Sequence, residues 1–64
     1  MSIRQTVLDE IAAWCRKAGI AESTLGSRAV NDPNFVSRLR HENVTIARIE
    51  RVRQYMYDHP PGAA

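Results

Sequence analysis

Arginine has the most chemistry to offer in this chain: of nine cationic side chains eight are Arg, and only Lys17 is Lys. A planar guanidinium makes forked contacts with a phosphate or with the edge of a guanine, which a lysine ammonium does not. The arginines are unevenly spread. Between Arg28 and Arg53, six Arg stand against three acids, Asp32, Glu42 and Glu50, a net +3. Residues 1–27 balance at zero, and Asp58 brings the total to the formal +2. In this basic half, Asn34, Ser37, Arg38 and His41 follow one another at helical spacing, opposite the apolar Phe35, Val36 and Leu39. That polar face is where function is expected.

Nucleophilic and metal chemistry have no comparable pattern. Cys15 is the only cysteine, so no internal disulfide forms, and its place among apolar residues makes it core filling. His41 and His59 do not stand with Cys15 at metal-ligand spacing. No Gly-rich phosphate loop, His-Glu metal motif or Gly-x-Ser-x-Gly elbow occurs. With 64 residues there is little room for a substrate cleft. The expectation is a chain with no catalytic residues, no metal and no cofactor.

Four helices must carry these residues. Ile3, Val7, Leu8, Ile11, Trp14, Cys15 and Ala18 recur at i, i+3, i+4, the rhythm of an amphipathic helix that Gly19 then stops. A shorter helix follows over Glu22 to Val30, with Leu25, Ala29 and Val30 on one side and Gly26 inside it. Asn31-Asp32-Pro33 is the sharpest punctuation. Asn tolerates the left-handed conformation, Asp caps helices, and Pro favours the first helical position, so the next helix is predicted to start at Pro33 and run to His41. Thr45 caps a last helix on the stripe Ile46, Ile49, Val52, Met56, which ends at Asp58-His59-Pro60-Pro61. Residues 1–58 read as one domain and 59–64 as a flexible tail, with Gly62-Ala63-Ala64 its mobile end.

Two short helices joined by a tight turn and braced by flanking helices make a helix-turn-helix organisation. The run from Ile20 to Leu39 resembles the core of the phage-repressor, Cro-like family. Leu25 stands at the family's core leucine, Gly26 at the small residue beside it, Asp32 at the cap of the recognition helix, and Val36-Ser37 at its Ile-Ser pair. Thr45-Ile46-Ala47-Arg48-Ile49 resembles the start of the following helix. Where the family often has a glycine in the turn this chain has Val30, and Asn31 can supply the left-handed residue one position later. The resemblance implies an all-α, lambda-repressor-like bundle of four or five helices, and a sequence-specific transcriptional regulator that binds double-stranded DNA.

Carried onto this sequence, the resemblance makes Pro33–His41 the helix that enters the major groove, a channel about 12 Å wide. Asn34 can pair bidentately with adenine and Arg38 with guanine, while Ser37 serves a base or a phosphate. Ser23 and Thr24, at the start of the preceding helix, face a phosphate, although Glu22 beside them would repel one. Arg28, His41 and Arg48 complete the set, Arg48 as a phosphate contact. Phe35 belongs to the apolar stripe but could also meet a thymine methyl.

Other uses of the same residues stay open. Arg38 can pair with Glu42 at i+4, and the arginines could simply solvate a helical surface. Tyr55 and Tyr57 flank Met56 and cannot both point inward, so at least one is exposed, either as a contact for a second copy or another protein or as an isolated surface aromatic. A homodimer would set two recognition helices about 34 Å apart on an inverted-repeat operator. The alternative function is a protein-binding anti-activator or adaptor on the same scaffold. With no secretory signal and no span of about 20 apolar residues, the sequence reads as a cytoplasmic, non-membrane, bacterial protein, nucleoid-associated when bound.

Overall fold

A computed structural model describes residues 3–61. The expected mobile end at Gly62-Ala63-Ala64 lies outside the described residues. The described chain is all-helical: α1 (Ile3–Ala18), α2 (Glu22–Val30), α3 (Phe35–His41) and α4 (Ile46–Asp58). Each boundary has a local cause. Gly19 takes φ 72° and closes α1, its N–H reaching the Cys15 carbonyl at 2.9 Å. Asn31 takes φ 56° at the end of α2, so it is Asn31 and not Val30 that supplies the left-handed residue. The Thr45 hydroxyl accepts the Arg48 N–H at 3.3 Å and caps α4.

The start of α3 differs from the sequence expectation by two residues. Asp32 does act as a cap, but on the turn: its Oδ1 accepts the Asn34 N–H at 2.9 Å and its carbonyl accepts the Phe35 N–H at 3.1 Å. Pro33 and Asn34 are therefore spent in a tight turn. The helical ladder opens only with the Arg38 N–H on the Asn34 carbonyl at 2.9 Å, and Phe35 becomes the first helical residue.

Val7, Ile11 and Cys15 of α1, Leu25 of α2, Phe35, Val36 and Leu39 of α3, and Ile49, Val52 and Met56 of α4 form one buried core. Full burial of such a side chain contributes roughly 1.5–3 kcal/mol. The α2–α3 crossing depends on Gly26: a Cβ there would run into the Asp32 carbonyl oxygen and come within 3.3 Å of the Phe35 Cβ. That same turn closes by N–H groups of Asn31 and Asp32 on the Gly26 carbonyl.

Helices α1 and α4 run parallel. Arg4 reaches Asn43, Glu10 holds Arg53, and Trp14 Nε1 donates to the Met56 and His59 carbonyls at 3.2 and 3.1 Å, so contacts advance together along both helices. Ile46, counted in the core stripe from its spacing, is 65% exposed. It opens α4 at the edge of the core, beside Ile3, which is 57% exposed. His59, assigned to the tail, is tied back to the bundle through its carbonyl and by stacking on Tyr55 at 4.2 Å.

Candidate nucleic-acid interface

The buried side of α3 is fixed by Phe35, Val36 and Leu39, each 2% exposed or less. At 100° per residue that leaves Ser37 and His41, with Asn34 just before the helix, along its outermost line, Arg38 on one flank and Arg40 on the other. All five are exposed. Phe35 is a correction: at 1% exposure it is sealed in the core behind Gly26 and cannot meet a thymine methyl.

Both flanking arginines are held by carboxylates from outside the helix. Arg38 Nη1 lies 3.2 Å from Asp32 Oδ2, and Arg48 of α4 approaches the same oxygen at 3.6 Å. Asp32 is largely covered, its side chain 13% exposed, whereas both arginines are 53% exposed. One half-hidden carboxylate thus gathers two outward cations onto a cleft of about 390 Å³ bordered also by Asn43 and Thr45. The i+4 alternative, Arg38 with Glu42, is not the pairing adopted. On the far flank, Arg40 Nη2 spans both oxygens of Glu22 at 2.9 and 3.0 Å. That contact ties the first turn of α2 to α3 and offsets the charge that would repel a phosphate from Ser23 and Thr24.

The expected site residues therefore divide. Asn34, Ser37, Arg38 and His41 share the outer surface of α3, and Arg48 joins them through Asp32. Ser23 is exposed and Thr24 half-buried in the first turn of α2, next to the Arg40–Glu22 pair. Arg28 is exposed in the last turn of α2, and among the described residues no hydrogen bond or ion pair links it to the α3 cluster. Arg40 and the charge role of Asp32 were missed from the sequence, because their partners lie 18 and 6 residues away respectively. Of the two tyrosines expected as partner contacts, Tyr57 is 83% exposed. Tyr55 is taken: it is half-buried between Trp14, ring centroids 6.1 Å apart, and His59.

Chemically, the surface offers amide, hydroxyl and imidazole groups between two oriented guanidiniums, an array that can donate to base edges and to phosphate oxygens. Burial, and secondarily the Glu22 carboxylate, push the Cys15 thiol above its ordinary value of 9.0, the opposite of an activated nucleophile. Among the described residues no three His, Cys, Asp or Glu side chains gather as metal ligands do. No described helix is long and apolar enough to cross a membrane. No family model matches the chain, and no curated protein or solved structure does either.

Proposed function

We propose that this chain is a sequence-specific DNA-binding transcriptional regulator that lays α3 in the major groove. The observation that carries this reading is the outer line of α3: Asn34, Ser37 and His41 face solvent between Arg38 and Arg40, each braced by a carboxylate from outside the helix. Asn34 and Arg38 read bases, and Ser37 and His41 contact bases or the adjoining backbone. Arg48, with Ser23 and Thr24 at the start of α2, meets phosphates and sets the register. The resemblance of the run from Ile20 to Leu39 to phage repressors supports a compact bacterial or mobile-element regulator, working in the cytoplasm on the nucleoid. A homodimer on an inverted repeat is the form that gives such a small reader its affinity.

Selection from random duplexes tests this directly. An enriched sequence is expected, and Asn34→Ala and Arg38→Ala each lose preference for it by roughly 1–3 kcal/mol. Arg48→Ala weakens all duplexes alike. No enriched sequence, with binding to none of the pool, defeats the proposal. A protein-binding adaptor is the second reading, favoured by the exposure of Tyr57. Salt separates the two: affinity for duplex falls steeply between about 50 and 200 mM salt, whereas an apolar protein contact hardly responds.

A further inference from the structure

Ile46, Glu50, Arg53 and Tyr57 of α4 are spaced by four, three and four residues and so lie on one flank of the helix. All four face solvent: Ile46 is 65% and Tyr57 83% exposed, the Arg53 side chain is 44% exposed, and Glu50 is exposed. Helix α1 extends the same surface. Ile3 lies beside Ile46, and Trp14 borders the cavity that holds Glu50, Arg53 and Tyr57. Arg53 is steadied by Glu10 at 3.1 Å, while Glu50 makes no hydrogen bond or ion pair among the described residues.

The order along this flank is apolar, acidic, basic, apolar. Read from the other end it is apolar, basic, acidic, apolar. A second copy laid antiparallel, about a two-fold axis between Glu50 and Arg53, therefore sets each Ile46 against the opposite Tyr57 and each Glu50 against the opposite Arg53. A parallel arrangement would set Glu50 on Glu50 and Arg53 on Arg53. We propose that the α4 flank is an isologous self-association surface whose occupant is a second, antiparallel copy of this chain. Exposure alone would fit any partner; the palindromic charge order is what selects an identical one, because a two-fold contact needs a patch complementary to itself. The four residues span about 17 Å of helix, and even with Ile3 and Trp14 they are far fewer than the roughly 20–30 residues a side of a standard-size interface. The association is accordingly weak and concentration-dependent.

This rests on the homodimer of the proposed function and names its surface; measured without DNA, it can fail while the duplex reading stands. Sedimentation and light scattering without DNA supply the test. The mass of the unaltered chain should rise toward twice its 7.2 kDa with concentration. Glu50→Arg and Arg53→Glu, each alone, should stay monomeric, since both contacts across the axis become repulsive. An equimolar mixture of these two variants should associate, because every contact is then again between opposite charges. Ile46→Ala and Tyr57→Ala, which leave the Glu10–Arg53 pair alone, should each weaken association by about fivefold or more; they serve if Arg53→Glu does not fold. A chain monomeric up to about 1 mM, or folded charge variants that associate like the original, would overturn the proposal. So would a mixture of folded charge variants that stays monomeric, or alanine variants with unchanged association.

Discussion

The carboxylate of Asp32 holds the Asn34 N–H with Oδ1 and two guanidiniums with Oδ2, so Asp32→Asn separates the two roles. Asparagine keeps an acceptor for the turn but releases Arg38 and Arg48. Both pairs are open to solvent at their arginine ends, 53% exposed, and such pairs contribute only about 0–1 kcal/mol each, so the melting temperature should move little. The net charge rises by one, and binding to random duplex should strengthen while preference for the selected sequence falls, as competition between the two duplexes would reveal. Equal changes on both would mean that Asp32 does not orient Arg38. Cys15 makes a simpler case. Its folded thiol titrates above 9.0, so the folded state holds that proton more tightly than the unfolded chain does. The stability this gives is complete below the unfolded thiol's range and is lost as pH rises through the folded one. Alkylating reagent at neutral pH should modify Cys15 only at the rate the protein unfolds; immediate modification of native protein would contradict its 6% exposure.

At the scale of elements, the α2–α3 crossing is the feature a single methyl group can test. Gly26→Ala gains about 1 kcal/mol of helix propensity and meets a backbone oxygen that cannot swing aside, an overpacking cost of roughly 1–3 kcal/mol. Net destabilisation of up to about 2 kcal/mol is expected, read by thermal melting, with a further loss of duplex affinity because α3 is re-aimed. All four helices were legible in the sequence, α2 to the residue, because Gly19, Asn31 and Thr45 are punctuation whose physics is local. The core side of α3 was legible for the same reason. What periodicity could not give was the register of α3, since Asp32 can cap a helix or a turn with the same carboxylate. Ile46 needs a finer angular reading: at 100° per residue it stands roughly 90° from the mean direction of the buried Ile49, Val52 and Met56, on the flank of Glu50 and Tyr57. The polar residues on the outer face of α3 could be read from spacing; the Arg40–Glu22 and Arg48–Asp32 pairs could not, being tertiary contacts, one between helices and one from helix to turn.

For the molecule as a whole, stability of about 0.05–0.15 kcal/mol per residue means roughly 3–10 kcal/mol in all. Leu25 is 0% exposed at the meeting of α2 with the rest of the core, and Leu25→Ala should cost about 2–5 kcal/mol. Circular dichroism at 37 °C should then show a largely unfolded chain at the lower end of that range of stability, and a sharply lowered melting temperature at the upper end. A melting temperature unchanged by this substitution would mean that the core is not continuous. The indole of Trp14, the only tryptophan, is forked onto two carbonyls at the far end of α4 and borders the cavity beside Tyr57. Its fluorescence emission is consequently a built-in probe of that seam: it should move to the red when the end of α4 frays and to the blue as protein concentration is raised, with no dye attached.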